Sequence, residues 1–166
     1  HPSIRAYAEE LGVAELCTFT GRVSDDELCR ILSSADLGVD PDPKNDWSDK
    51  STMNKIMEYM FFGLPVVAYE LTEHRVSAGA AALFAEPNCE RALARSISEL
   101  LDDPARRRWM GHAGRARVRS DLAWEHSAPV LLAAYDRLWP APRAGASSIS
   151  TRRRRTTGDQ PVGTTP

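Results

Sequence analysis

The sequence contains no long hydrophobic run. Although 42% of its 166 residues are hydrophobic, none of its segments approaches the roughly 20 consecutive apolar residues of a transmembrane helix. Its first residues also lack the charged-then-apolar order of a secretory signal. The length and composition suit one globular domain with a sizeable core. We expect it in the cytoplasm, with peripheral contact to a membrane as a further option.

Cysteine is also scarce. The chain has three cysteines, Cys17, Cys29 and Cys89, and an odd number of cysteines cannot all be paired. They show neither a Cys-x-x-Cys pair nor the Cys and His spacing of a zinc site. The sequence therefore argues against a disulfide-stapled scaffold. We expect the three side chains to be small core or surface groups.

Positive charge is sparse outside the C-terminal end. Residues 141–166 hold five arginines and one aspartate, which leaves 16 basic and 22 acidic residues, a net charge of −6, in the rest of the chain. A body of this charge is not expected to bind nucleic acid. The last 26 residues are mostly Ala, Gly, Ser, Thr, Pro and Arg, which predicts a disordered tail after a domain at residues 1–140. Arg152 to Arg155 are candidates for contact with anionic lipid or nucleic acid, but a solubilising tail is the favoured interpretation.

The segment at residues 49–67, DKSTMNKIMEYMFFGLPVV, predicts a helix. Its apolar side chains recur at helical spacing and would line one face: Met53, Ile56, Met57, Met60 and Phe61. Ser51 is the predicted N-cap, and Gly63 followed by Pro65 is the predicted stop. The helix should therefore run from about residue 52 to residue 62.

A polar stripe runs along the other face of this helix. Asn54 and Glu58 are four residues apart, Lys55 lies beside them, and Lys50 and Ser51 precede the first turn. The amides and lysines of a helix start suit a phosphate, and a carboxylate further along can accept both hydrogens of a vicinal diol. A phosphate and a diol together indicate a nucleotide. The alternative is an ordinary solvated face with a Lys–Glu pair.

Strands and helices alternate along most of the chain. Short apolar segments predict strands at residues 16–20, 36–40, 65–69 and 81–85. Further helices are predicted at about residues 3–11, 24–35, 89–101, 105–119 and 124–139, with Ser24 as an N-cap in a capping box with Glu27. Residues 70–80 are predicted as a loop or a single turn. This order predicts an α/β fold with a doubly wound parallel sheet, followed by C-terminal helices.

In such sheets, ligands bind beyond the carboxyl ends of the strands. The segments at residues 20–23, 40–51 and 70–79 each follow a predicted strand, so we expect them to meet at one crevice. Asp40 and Asp42 offer oxygen ligands, but Mg²⁺ sites usually rely on substrate phosphates, and we predict no metal site.

His74 and Arg75 would face the crevice if residues 70–80 form a loop, but a satisfied surface histidine is the favoured interpretation. Ser127 follows His126, but adjacent residues on a helix point apart and cannot form a charge-relay pair, so any chemistry should be electrostatic.

Five segments together resemble one family. In order they are FTGRVSDDEL, ADLGVDPDP, NKIMEYMFFGLPVVAYEL, AALFAEPN and LARSISELLDDPARRRWMGHAGR, followed by a helix that starts with Trp124. From Leu11 to about Trp139 the chain is similar to the C-terminal, donor-binding half of the GT-B glycosyltransferases of group 1, family 4. The resemblance implies a Rossmann-like half of the GT-B fold.

The family carries two glutamates with seven residues between them. By resemblance, Glu58 matches the second, which holds the ribose hydroxyls of the nucleotide. Lys50 stands at the place of the first, which contacts the transferred sugar, so this chain departs from the pattern there and Lys50 or Lys55 would meet a phosphate. The amides that would hold the diphosphate belong to Ser51, Thr52, Asn54 and their neighbours.

The resemblance also assigns a role to the predicted turn after the first strand. The backbone of Gly21, Arg22 and Val23 would frame the nucleotide base, although a simple strand-ending turn is the alternative. The implied donor is a nucleotide-diphosphate sugar of UDP or GDP type, without a metal or a further cofactor. The implied acceptor is a carbohydrate or a lipid-linked molecule, as in polysaccharide biosynthesis.

The resemblance therefore implies a glycosyltransferase that retains the anomeric configuration. A GT-B enzyme has two domains, so we expect this chain to be N-terminally truncated and inactive by itself. A different class of function remains open, namely a non-catalytic nucleotide-binding or protein-interaction α/β module.

Overall fold

Three short parallel strands form the centre of the fold. In chain order they are β1 (Gly38–Asp40), β2 (Val66–Tyr69) and β3 (Ala82–Ala85). They lie in the sheet in the same order, with β2 in the middle. Gly38 is opposite Val66, which is opposite Ala82, and both strand pairs are parallel. The three carboxyl ends therefore lie at the same edge of the sheet.

The structure, a computed structural model, describes residues 2–139. The tail predicted at residues 141–166 lies outside the described residues. Among these residues, those up to Ser127 form one compact unit, and those from Ala128 to Trp139 belong to a second.

Seven α-helices are described within this range. They are α1 (Pro2–Glu10), α2 (Asp25–Ser34), α3 (Asn54–Phe62), α4 (Thr72–Ala78), α5 (Glu90–Leu101), α6 (Pro104–Arg117) and α7 (Trp124–Leu138). Short 3-10 turns lie at Ala14–Leu16, Ser48–Lys50 and Gly79–Ala81, and a π-type turn lies at Val118–Leu122. The helix predictions are thus confirmed to within about two residues at most ends.

Side chains of β2 point alternately to two hydrophobic clusters. Val66 and Ala68 belong to a cluster with buried residues of α3 and α4, whereas Val67 and Tyr69 belong to a second cluster with buried residues of α5 and α6. Each strand residue contributes to the opposite face from its neighbour, as a pleated strand requires. Because helices cover both faces, the predicted doubly wound α/β fold is confirmed.

The strand predicted at residues 16–20 is wrong. Leu16 ends a 3-10 turn and is 86% exposed, and no described residue between Cys17 and Val23 is in a strand. Alternating apolar and β-branched residues favour a strand only where a neighbouring strand supplies the hydrogen bonds. Within residues 2–139, β1 pairs with β2 alone.

The start of α3 also differs from the prediction. The helix begins two residues later than expected, and its N-cap is Met53, whose side chain makes no capping hydrogen bond. The predicted N-cap, Ser51, donates its hydroxyl proton to the carbonyl oxygen of Trp47 at 2.6 Å, so this group is committed to the preceding turn. The C-terminal stop is confirmed, because Gly63 takes a left-handed conformation with φ of 74°.

The segment predicted as a loop or single turn, residues 70–80, contains the two-turn helix α4. Its cap is distant in sequence, because Asp49 accepts hydrogen bonds from the backbone N–H and the hydroxyl of Thr72, at 2.9 and 3.0 Å. These bonds hold the pKa of Asp49 below its ordinary value. A local pattern search misses such a cap because the acceptor lies 23 residues earlier. The Ser24 cap of α2 is local, and it is confirmed by the 3.3 Å contact with the N–H of Glu27.

Arginines of α6 bind the C-terminal carbonyls of three other helices. Arg107 donates to Leu100 and Leu101 of α5, Arg115 donates to Phe61 and Phe62 of α3, and Arg117 donates to Val76 and Ser77 of α4. The last carbonyls of a helix have no partner inside it and favour a cation. Helix α6 therefore fixes the ends of the helices that begin at the carboxyl edge of the sheet.

Candidate functional site at the carboxyl edge of the sheet

The loop after β1 is tied to the loop after β3. The side chain of Asn88 accepts a hydrogen bond from the N–H of Lys44 at 2.7 Å and donates one to its carbonyl oxygen at 3.2 Å. Asn88 has a positive φ of 59°, a conformation that asparagine tolerates better than most residues. The loop after β3 was not among the three segments expected at the crevice, and this tie places it beside the segment at residues 40–51.

Asn88→Gly tests this tie. Glycine adopts the positive φ without strain, so the variant removes the two hydrogen bonds and little else. We expect a loss of about 1–2 kcal/mol in the free energy of unfolding, measured by urea denaturation, and faster amide hydrogen exchange in residues 41–49. Asn88→Ala is the comparison variant, and it should lose more because it adds backbone strain. Unchanged exchange in Asn88→Gly would show that the tie does not order the loop.

Asp49 joins the loop after β1 to α4 as well. Besides capping α4, its carboxylate lies 3.5 Å from the ammonium group of Lys44. Nearby, the hydroxyl of Thr52 donates to a carboxylate oxygen of Glu73 at 3.0 Å. The segment that leads into α3 is therefore fastened to the first turn of α4. Thr52, predicted as a donor-binding residue, lies at this junction, exposed to solvent.

Lys55 lies between two aspartates. Its Nζ is 2.6 Å from Oδ2 of Asp42 and 3.2 Å from Oδ1 of Asp40. Oδ1 of Asp40 also accepts the backbone N–H of Asp42 at 3.1 Å. The surface pair of Lys55 with Glu58, which was the alternative interpretation of the polar stripe, is not formed. The side chain of Lys55 remains 36% exposed.

The ion pairs shift the pKa of both partners. Partial burial acts to raise the pKa of Asp42, but hydrogen bonds and charge attraction from Lys55 hold it below its ordinary value. Burial acts to lower the pKa of Lys55, but its hydrogen bonds to Asp42 and Asp40 and their charges hold it above its ordinary value. Both shifts favour the charged forms, so the pair is ionised at neutral pH.

His74 is fully buried, which corrects the expectation of a surface histidine. Its Nδ1 lies 3.0 Å from the carbonyl oxygen of Tyr69, and its Nε2 lies 3.5 Å from Oδ2 of Asp40, which is equally buried. The error has a definite source, because residues 70–80 form a helix, and this helix turns His74 toward the end of β1. No local signal in the sequence links residues 40 and 74.

Glu58 lies on the exposed side of α3. Its carboxylate makes no hydrogen bond or ion pair with any residue in the described range 2–139. Asn54, one turn earlier, is also exposed. A charged side chain on a helix that starts at the crevice, with its acceptor oxygens unused, is available to a ligand.

The start of α3 offers free donors. No side chain caps this helix, so the first amides, including those of Asn54 and Lys55, are not satisfied by a capping group. Lys50, at the end of the preceding 3-10 turn, is exposed and forms no ion pair within residues 2–139. Ser51 is half-buried, and its N–H and hydroxyl donate to the carbonyl oxygens of Ser48 and Trp47. The first amides of α3 and Lys50 remain predicted contacts of a diphosphate.

Gly21, Arg22 and Val23 form no strand-ending turn, because the strand before them is absent. Gly21 has a positive φ of 63° and open space around it. Gly21 and Arg22 are exposed and Val23 is half-buried. No hydrogen bond or ion pair among the described residues connects this segment to the residues around α3, so its role at the base stays a prediction.

None of the helices within residues 2–139 is both long enough and apolar enough to span a membrane.

The fold and the crevice together define a class. A parallel sheet with helices on both faces, polar loops at its carboxyl edge and α-helices after its last strand is the arrangement of the donor-binding half of a GT-B glycosyltransferase. The model of the family "Glycosyl transferases group 1" matches residues 1–103. The chain belongs to this family, and the resemblance seen in the sequence is confirmed.

Individual relatives agree with this family. The chain is 28% identical over 137 residues to a 2-deoxystreptamine glucosyltransferase of Streptomyces kanamyceticus, covering 81% of the chain and 34% of the relative. It is 28% identical over 131 residues to the MMP alpha-(1->4)-mannosyltransferase of Mycolicibacterium hassiacum, covering 77% and 31%.

A solved structure supports the fold directly. Sucrose-phosphate synthase from Thermosynechococcus elongatus superposes on the chain with a TM-score of 0.71 and 27% sequence identity, covering 84% of the chain and 34% of that protein. The chain thus spans about a third of the length of each of these three proteins.

Proposed function

We propose that this chain binds the donor of a glycosyltransferase, which moves a glycosyl group from a nucleotide-diphosphate sugar to a carbohydrate or lipid-linked acceptor. The observation that carries the proposal is the state of Glu58. In an ion-pair-rich region this carboxylate keeps its acceptor oxygens unused, at the position where the family places its ribose-binding glutamate. A carboxylate with free lone pairs can accept both hydroxyls of a ribose.

The diphosphate is assigned to the start of α3. The amides there have no side-chain cap, and the positive end of the helix dipole favours an anion. Lys50 is exposed close by and adds a cation. Together these groups would stabilise the negative charge that grows on the departing nucleoside diphosphate, without a proton donor.

Lys55 has a more limited part in this proposal than the sequence implied. Two of its three N–H donors face Asp40 and Asp42, so one donor is left for a phosphate oxygen. The two carboxylates fix the position of the ammonium group but also offset its charge. We therefore assign the main cationic contact to Lys50.

The names of the relatives bear on the sugar that is transferred. Two of them are named for glucosyl and mannosyl transfer, which supports a hexose as the transferred group. We propose net retention of the anomeric configuration, a UDP or GDP donor, and Gly21, Arg22 and Val23 at the base. Lys50 replaces the glutamate that contacts the sugar in the family, so recognition of the sugar must differ here.

Calorimetric titration of UDP, GDP and ADP into the protein in its full encoded length tests the donor site. We expect one nucleotide to bind, and Glu58→Ala to weaken binding by about 1.5–3 kcal/mol, roughly ten- to a hundredfold, because a charge-assisted contact to the diol is lost. The matched control is Glu10→Ala, an exposed glutamate on α1, which should leave the affinity unchanged.

The alternative class of function makes the opposite prediction. If the chain is a non-catalytic interaction module whose polar stripe docks a protein, Glu58→Ala will bind nucleotide as well as the parent protein, or neither will bind. Either result would remove the main support for a donor site. If Glu58→Ala and Glu10→Ala lost nucleotide affinity equally, the cause would be a general change in the protein and not the loss of a contact between Glu58 and the ribose.

A further inference from the structure

Two buried polar atoms at the end of β1 have no hydrogen-bond partner. They are Oδ2 of Asp40 and Nε2 of His74, and both side chains are fully buried. The two atoms face each other at 3.5 Å. Burying a polar atom without a hydrogen-bond partner costs free energy of folding. Two such atoms that face each other therefore need a physical explanation.

The contacts of the other atoms define what is missing. The carbonyl oxygen of Tyr69 can only accept, so the Nδ1 atom of His74, 3.0 Å away, carries a proton. Nε2 is then the ring nitrogen that faces Asp40. The other oxygen of Asp40, Oδ1, receives Lys55 and the amide of Asp42. The two atoms without a partner, Nε2 and Oδ2, thus face the same space, and both are of the kind that bind metal ions.

The distance between these atoms leaves room for a metal ion. A charged N–H···O⁻ hydrogen bond would draw the two atoms to about 2.7–2.9 Å, well inside the observed 3.5 Å. By contrast, nitrogen and oxygen ligands bound at about 2.0–2.1 Å in a tetrahedral zinc site lie about 3.3 Å apart. The observed spacing is therefore close to that of two neighbouring metal ligands.

A third ligand lies within reach. One ligand atom from each of Asp40, Asp42 and His74 can be chosen so that all three lie within 4.8 Å of one another. Asp42 is partly exposed, with 30% of its side chain accessible, so it opens the buried pair to solvent. The hydrogen bond from Nδ1 of His74 to a backbone carbonyl is the outer contact that commonly orients a metal-binding histidine.

We propose that Asp40, Asp42 and His74 form a binding site for a divalent transition-metal ion of the zinc type. One imidazole nitrogen and two carboxylate oxygens suit this class, whereas Mg²⁺ and Ca²⁺ prefer six or more oxygen ligands. Three protein ligands leave a fourth position for water or another oxygen donor. The site does not involve Glu58 or Lys50, and it contacts the donor site only through Lys55 of α3.

Lys55 limits the affinity of this site without filling it. Its ammonium group holds Oδ1 of Asp40 and Oδ2 of Asp42, which leaves Oδ2 of Asp40 facing His74. A cation so close opposes a second cation. Lys55→Met should therefore tighten metal binding, roughly two- to fivefold for a partly exposed pair.

Cobalt(II) is a suitable probe because its visible absorption reports the coordination geometry. Purified protein, first treated with a chelator and without nucleotide, is titrated with Co²⁺ and then with Zn²⁺ as a competitor. We expect one Co²⁺ per chain, with the intense absorption of a tetrahedral site, displaced by Zn²⁺. Loss of an outer contact of a metal site typically weakens metal binding about ten- to a hundredfold. His74→Gln removes a ligand itself, so it should weaken Co²⁺ binding by at least about a hundredfold.

Two further variants keep the test decisive. Asp42→Asn changes a partly exposed ligand, so this variant should fold even if His74→Gln does not. Circular dichroism will show whether each variant is folded. Asp42→Asn should also weaken Co²⁺ binding strongly. His112→Gln on α6 replaces an exposed histidine and should bind as the parent protein does. Failure of the parent protein to bind one Co²⁺, or unchanged binding in Asp42→Asn, would overturn the proposal and leave a proton between His74 and Asp40.

Discussion

Replacing Gly111 by alanine will destabilise the protein by about 3 kcal/mol, the upper part of the range for overpacked positions. An added Cβ at this position would lie 2.0 Å from the carbonyl oxygen of Gly63. That oxygen belongs to the backbone at the C-terminal end of α3, where Gly63 holds a left-handed conformation. A backbone atom in such a fixed position cannot move aside as the end of a side chain can.

The sign of this effect is informative. In the interior of an exposed helix, glycine to alanine stabilises by about 1 kcal/mol, since alanine favours the helix. Here the close approach of α6 to the end of α3 reverses the sign. The same approach allows Arg115 to reach the carbonyls of Phe61 and Phe62. Gly111 thus permits the contact that holds the C-terminal end of the donor-site helix.

Gly114→Ala is the matched control, because Gly114 also faces α3 from α6. Its added Cβ would lie 3.0 Å from Cγ of Met60 and 3.0 Å from Cβ of Ala81. Met60 is a flexible side chain that can shift by a few tenths of an ångström, whereas the Cβ of Ala81 moves only with its backbone, but both contacts are 1 Å longer than the one at Gly111. Urea denaturation should therefore show a much smaller loss for Gly114→Ala than for Gly111→Ala. Similar losses in the two variants would mean that helix packing, and not the carbonyl of Gly63, sets the cost.

Sequence periodicity was sufficient for six of the seven described helices, all but α4, and for the three strands of the sheet. The apolar spacing of α3 and the short apolar run of β2 have strong local causes, and both lie where they were predicted. The segment at residues 16–20 has similar local composition but forms no strand. Whether such a segment forms a strand depends on the presence of a neighbouring strand, which is a property of the tertiary structure.

Pairings between distant residues explain most of what the sequence could not predict at the site. Asp49 caps α4 although it lies 23 residues before Thr72 in the sequence, and Asn88 binds the backbone of Lys44, which lies 44 residues before it. His74 reaches Asp40 only because residues 72–78 form a helix. Glu58, by contrast, could be located from one helix, because its position depends only on the periodicity of α3 and on family resemblance.

Asp40→Leu will have the other large effect on stability, a loss of about 3–5 kcal/mol in the presence of a chelator. Asp40 is fully buried and is the common partner of Lys55, His74 and the amide of Asp42. Leucine fills a similar volume but accepts no hydrogen bond. It leaves the amide of Asp42 without a partner, and it removes one of the two carboxylates that hold Lys55.

Asp40→Asn separates the loss of charge from the loss of shape and hydrogen bonding. The amide oxygen can still accept from Lys55 and from the N–H of Asp42, and the amide nitrogen can donate to the Nε2 of His74. We therefore expect a cost of only about 1 kcal/mol, measured by urea denaturation in the same chelating buffer. Because Asp42 still pairs with Lys55, the position of that ammonium group should be retained as well. If asparagine cost as much as leucine, the negative charge of Asp40 itself, and not its hydrogen bonds, would be what stabilises the carboxyl edge of the sheet.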